Sequence, residues 1–125
     1  MIVYKELPLM IKPMSNKIKK LKDKLNKTIW TDSIEKLEPH LCEQRGNILG
    51  KSSLLMLPKN TADVVKIVKF CNKNKISIVP QGGRTGLCGG TIPNKNGQEI
   101  LLSTESMDKV IEVNKDGFYM IVQAG

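Results

Sequence analysis

One stretch limits what this chain can become: Pro80-Gln81-Gly82-Gly83-Arg84-Thr85-Gly86-Leu87-Cys88-Gly89-Gly90-Thr91-Ile92-Pro93, with five of the chain's ten glycines between Gly82 and Gly90. At average usage, about 7% glycine, a window of that length holds less than one. Glycine is favoured where the backbone turns to positive φ or must approach another group closely. Successive inward-turned N–H groups then form a concavity that suits an anion, and phosphate is the anion expected here. Arg84 adds charge and a donor fork, and Thr85 adds a hydroxyl. The alternative is a tight crossover in which the glycines only let the chain turn.

The spacing excludes two familiar phosphate loops. No Gly-Lys-Ser/Thr is present, so this is not a Walker loop. A Rossmann fingerprint opens a helix, whereas Gly83, Gly86 and Gly89 recur every third residue and run into Pro93. Ile76 to Val79 before the loop and Glu99 to Ser103 after it read as strands, with Asn94-Lys95-Asn96-Gly97 as a turn between. A ligand in that setting is held by wrapping, without a helix macrodipole.

Residues 1–14 carry Pro8 and Pro13 and no clear period, and read as an irregular leader. From Ser15, an N-cap type, Ile18, Leu21, Leu25 and Ile29 form one apolar stripe on a lysine-covered helix. Such a helix is either an ordinary surface helix or one that lies on an anionic membrane. Trp30, Ile34, Leu37 and Leu41 predict a further helical piece capped by Thr31 or Asp32. His40, the single histidine, has no second histidine for a metal pair and no nucleophile pattern around it. Arg45-Gly46-Asn47 is a turn, followed by a strand over Ser53 to Leu57 that Pro58 stops. Asn60 or Thr61 then caps a helix whose buried face is Val64, Val65, Ile67, Val68 and Cys71, completing a β-α-β unit with the strand at Ile76. Val110 to Asn114 and Phe118 to Ala124 predict a hairpin around Lys115-Asp116-Gly117. The fold class is α+β.

With 125 residues the chain holds one domain at most. The net charge of +8 suggests nucleic acid until it is located: residues 1–27 hold eight lysines against Glu6 and Asp23, while residues 28–125 carry only +2. Aromatics are 4%, too few for base stacking, so nucleic acid is excluded as a partner. Three cysteines without a C-x-x-C spacing fit reduced thiols, and the absence of a signal core makes the cytoplasm the expected location. No metal site is expected.

The run Ile78 to Gly90, followed by Ile100-Leu101-Leu102-Ser103 and Ser106-Met107-Asp108-Lys109-Val110, resembles the FAD-binding domain of the vanillyl-alcohol oxidase / p-cresol methylhydroxylase superfamily. Within it the likeness leans to the D-lactate, glycolate and D-2-hydroxyglutarate dehydrogenases. The resemblance covers about residues 28–125, which implies the amino-terminal part of a PCMH-type FAD-binding domain, cut at its C-terminus, behind a basic leader and helix over 1–27. It implies that the loop wraps the FAD pyrophosphate through its main-chain amides. The cofactor-binding residues so implied are Pro80, Gln81, Gly82, Gly83, Arg84, Thr85, Gly86, Leu87, Gly89 and Gly90, with Ser103 passing near the flavin and Gly125 opening another cofactor-contacting turn.

Relatives that attach flavin covalently use a histidine or cysteine in this region. No histidine is near the loop in sequence and Cys88 does not match, so FAD is expected to be non-covalent. The family oxidises a 2-hydroxy acid by hydride transfer to flavin, with its substrate arginines, bases and metal ligands in later regions. No residue here is a candidate general base, so no catalytic residue is assigned and a second polypeptide is expected to supply the rest. A non-functional truncated relic, or a small nucleotide-phosphate binding module, are the alternatives.

Overall fold

The computed structural model describes residues 16–125, so the leader at 1–14 and the Ser15 cap lie outside the described residues. In chain order these residues form α1 (Asn16–Lys24), a 3-10 turn (Lys27–Ile29), β1 (Trp30–Thr31), α2 (Ile34–Leu37), a second 3-10 turn (Glu38–His40), β2 (Leu55–Met56), α3 (Thr61–Asn74), β3 (Ile78–Gln81), β4 (Ile100–Ser103), β5 (Val110–Asn114) and β6 (Tyr119–Val122). Four strands make one sheet in the order β1-β2-β4-β3, and β5-β6 stand apart as a two-stranded ribbon. Within the sheet β2, β4 and β3 are parallel and β1 is antiparallel to β2. The expected β-α-β unit is therefore β2-α3-β3, with β4 inserted between its two strands.

Side-chain alternation along the strands divides the core into two layers. Leu54, Met56, Ile100 and Leu102 join Ile67 and Cys71 of α3 and Ile18 and Leu21 of α1 on one face. Leu55, Val79 and Leu101 meet Leu37 of α2 on the other. The stripe on α1 is thus core, continuous with the sheet, and the lysines face outward. Lys22 ties this helix to β1: its ammonium lies 4.5 Å from the centre of the Trp30 ring and 2.5 Å from Asp32 Oδ2. That hydrogen bond holds the Asp32 carboxyl below its ordinary range.

Three local expectations change. Trp30 belongs to β1, so the predicted helical piece starts only at Ile34, after Ser33, whose side chain makes no cap bond. On α3 the cap is Asn60, whose side chain accepts from Asp63 N at 2.9 Å, but Val65 and Val68 are exposed. The stripe fully buried is Ile67 and Cys71, one helical turn apart, with Phe70 partly buried beside it, because that side of the helix faces the sheet and α1. The hairpin turn uses residues 115–118, with Phe118 at φ 51 and Gly117 in ordinary φ. Asn114 Oδ1 accepts from Gly117 N at 2.6 Å, so asparagine closes the turn where Asp-Gly was expected to.

Candidate functional site

Strand β3 runs two residues beyond the expected Val79, taking in Pro80 and Gln81, and the glycine segment leaves from its carboxyl end. Ligands of open parallel sheets sit at that end of the strands. Residues 82–99 must then return to the start of β4 without helix or strand, so their backbone groups need partners from elsewhere.

Several of the carbonyls find them, on Arg45, on Gln81 and within the loop itself. Arg45 Nη2 donates to Leu87 O at 2.9 Å, Gln81 Nε2 donates to Thr91 O at 2.6 Å, and Gly89 O accepts from Ile92 N at 3.0 Å. Arg84, at φ 56, sends Nη1 back to Pro39 O at 2.5 Å. Its guanidinium therefore fastens the loop to the 3-10 turn through Nη1. Glu43, buried, organises the turn that carries Arg45: its carboxylate accepts from Asn47 N at 3.0 Å and Arg45 N at 3.2 Å. Those two amide bonds, Asn47 first, lower its pKa from the ordinary carboxylate value, with the Arg45 side chain adding to the shift.

The amides do the opposite. Among the described residues, no backbone N–H from Gly82 through Thr91 donates to a protein acceptor. A Cβ built at Gly86 or Gly90 would meet nothing within 4 Å, and one at Gly83 only a Thr85 methyl at 4.0 Å. None of the three has positive φ. Nothing in the chain's own packing requires glycine there. Gly89 differs: its φ is +75 and an added Cβ would lie 2.6 Å from Ile48 Cδ1. A row of unpaired donors with side chains withheld from open space is what a diphosphate needs, so these residues fit FAD.

The remaining sequence-predicted positions divide. Gly82 and Gly125 are brought to the same strand ends: Ala124 O is 3.7 Å from a Cβ at Gly82, and Gly125 N donates to Met107 O at 2.8 Å. A Cβ at Gly125 would lie 2.2 Å from Thr104 O, so this glycine serves close packing. Thr85 and Leu87 are exposed on the loop, and Pro80 is exposed on β3. Gln81 and Ser103, also expected at the cofactor, are buried. The Gln81 side chain bonds only inside the fold, and Ser103 Oγ accepts from Glu105 N at 3.3 Å.

Sequence reasoning missed four participants: Arg45, Glu43, Thr104 and His40. Thr104 Oγ1 donates to Ala124 O at 2.6 Å, which holds the chain's last residues against the loop's first glycine. His40, absent from the loop's neighbourhood in sequence, lies beside Gln81 with Nδ1 2.6 Å from Gln81 Oε1. Only the residue type of Gln81, a polar group on the inward phase of a strand, signalled a buried partner. Among the described residues no group of three or more His, Cys, Asp or Glu could hold a metal, and no helix is long and apolar enough to cross a membrane.

Residues 52–125 match the family model described as "FAD binding domain". A probable mitochondrial D-2-hydroxyglutarate dehydrogenase of Oryza sativa subsp. indica is 42% identical over 80 residues, 64% of this chain and 14% of that protein. A D-lactate dehydrogenase of Anaerostipes hadrus is 36% identical over 80 residues, 62% of this chain and 16% of that protein. Among solved structures, p-cresol methylhydroxylase with substrate bound superposes with a TM-score of 0.72 at 23% identity, over 87% of this chain and 22% of that one. Alkyldihydroxyacetonephosphate synthase gives 0.69 at 19%, over 86% and 23%. The chain thus spans about one-seventh of its curated relatives' length. The family match covers more than half of the chain and contains the glycine loop, so this chain belongs to the FAD-binding domain family, and its cofactor is FAD.

Proposed function

We propose that the loop from Gly82 to Gly90 holds the FAD pyrophosphate by its main-chain amides, without a covalent bond to the flavin, as part of an oxidoreductase acting on a 2-hydroxy acid. The observation that carries this is the run of unpaired N–H groups from Gly82 to Thr91 beside glycines that the chain itself does not need. The relatives' names supply the substrate class, D-2-hydroxyglutarate foremost and D-lactate second. When bound, FAD supplies the hydride acceptor. The residues of this chain orient it: the loop fixes the diphosphate, while Arg45 and Arg84 keep the loop's outer side on the 38–49 segment. Burial and the bond to Gln81 keep His40 from serving as a flavin attachment point.

The substrate-gripping and proton-accepting groups come from polypeptide beyond these residues, on the same chain or a partner. The hairpin supports this. Val110, Val113, Met120 and Val122 share one face of the ribbon and are all exposed, whereas Glu112, Asn114 and Tyr119 on the other face are bonded to one another. The three free cysteines suit a reducing compartment, the cytosol as expected or the mitochondrion as the plant relative's name indicates.

The test is a chimera in which this chain replaces the matching segment of the rice relative. A yellow protein that reduces an electron-accepting dye with D-2-hydroxyglutarate is expected. A folded, colourless chimera overturns the reading.

A further inference from the structure

The loop's return limb is held by one buried side chain, Gln81, and that side chain is itself oriented by His40. Gln81 Nε2 lies 2.9 Å from His40 O and 2.6 Å from Thr91 O. Both neighbours are carbonyl oxygens, which only accept, so the amide must point its NH2 group at them. That fixes Oε1 toward His40 Nδ1 at 2.6 Å. An amide oxygen cannot donate, so Nδ1 must carry the proton. The reverse amide orientation would set Oε1 against two carbonyls and is excluded by their repulsion. His40 and Gln81 are both almost fully buried, so water does not offer either a substitute partner.

The consequence reaches the loop. Thr91 follows directly on Gly90 and is the last residue of the unpaired amide run, and its carbonyl has no other donor among the described residues. Losing the donor at Nδ1 leaves Gln81 Oε1 buried without a partner, and that cost weakens the arrangement in which the amide holds Thr91 O. The loop's return limb then loses a side-chain anchor and samples more arrangements.

We infer that His40 is a positioning residue for the cofactor loop: its Nδ1–H locks the Gln81 amide, which in turn sets the Thr91 end of the pyrophosphate cradle. The inference rests on the FAD reading of the loop for its ligand, and on the bonds above for its mechanism. Nothing in it makes His40 a catalytic residue.

The experiment uses the 15N-labelled chain titrated with FAD and followed at the Gly82–Gly90 amides. His40→Asn places an amide N–H where Nδ1–H stood and is expected to bind as wild type does. His40→Leu keeps bulk without the donor and is expected to bind about tenfold more weakly, as the competent fraction of loop conformers falls. Its loop amides should also lose order in the absence of FAD, while the sheet amides do not. Equal FAD affinity and equal loop order for His40→Leu and wild type overturn the inference. So does an imidazole nitrogen spectrum of the wild type showing the proton on Nε2 alone, a measurement that needs no variant to fold. Should the loop of the isolated wild-type chain fail to respond to FAD, the titration passes to the chimera, and the tautomer and the order of the unliganded loop still decide the role of His40.

Discussion

The glycine loop and the β5-β6 hairpin are both exposed, and they expose opposite things. The loop presents main-chain donors, its carbonyls drawn off by Arg45 and Gln81. The hairpin presents side chains, its backbone paired along the ribbon and one face given over to Val110, Val113, Met120 and Val122. An unpaired amide recognises a small anion by direction, while an exposed apolar face recognises only another surface that excludes water. Two solvent-facing regions of one small domain are thus addressed to different occupants, and substitutions should separate them.

The largest separation is expected from Gly83→Val with Gly86→Val. Both Cβ positions open on free space at ordinary φ, so the chain alone tolerates the added side chains and its melting temperature should not move. The same groups would occupy the diphosphate's place, and FAD affinity should fall at least about 100-fold, roughly 2.7 kcal/mol. A drop in melting temperature with affinity retained would make these glycines structural and break the comparison. Gly89→Ala sharpens it from the other side. Its φ of +75 and the nearby Ile48 methyl predict a loss of stability of about 1 kcal/mol in chemical denaturation.

How much of this was legible beforehand follows from whether a signal is local. The strand-loop-strand setting, the Asn60 cap, the β-α-β unit and the hairpin's place all rest on residues close in sequence, and they appear in the structure. The side-chain bonds of Arg84 and Gln81 had no local signal because their partners, Pro39, His40 and Thr91, are supplied by folding. A glutamine before a glycine run looks like a ligand contact until the strand's alternation turns it inward. Val65 and Val68 were placed in the core because apolar identity on a helix was taken for burial, while the sheet is narrow enough to bury fully only the line through Ile67 and Cys71. His40 had no local signal at all. The order of the strands, with β4 between β2 and β3, likewise has none.

On the hairpin the expected effect on the chain itself is small. Met120→Asp alters a residue that is 59% exposed, so denaturation should register a change within about 0.5 kcal/mol. Association with whatever supplies the remaining domain should weaken strongly, because a charge would enter the middle of a dry face. In the chimera with the rice relative the same substitution should lower yield and flavin content, while the isolated chain melts as before. If the isolated chain is destabilised as much as a core substitution would cause, the ribbon is part of the core and the contrast with the loop is lost.

Acid provides the finest distinction, since the loop has a carboxylate beneath it and the hairpin's apolar face has none. Glu43 accepts amide bonds from Asn47 and Arg45 and so keeps a pKa below its ordinary 4.5. A depressed folded pKa means that the ionised form is the one the fold favours. Its contribution is complete above the ordinary carboxylate value and is lost as pH falls through the lowered one. Protonation there releases the turn that aims Arg45 at Leu87 O. Amide exchange measured while pH is lowered from neutrality should therefore show the 43–49 turn and the Leu87 region loosening before the ribbon between β5 and β6, after correction for the intrinsic pH dependence of exchange. Glu43→Gln should remove this order of events, because a neutral amide has no proton to gain. Simultaneous loosening of both regions in the wild type would mean that the carboxylate does not govern the loop.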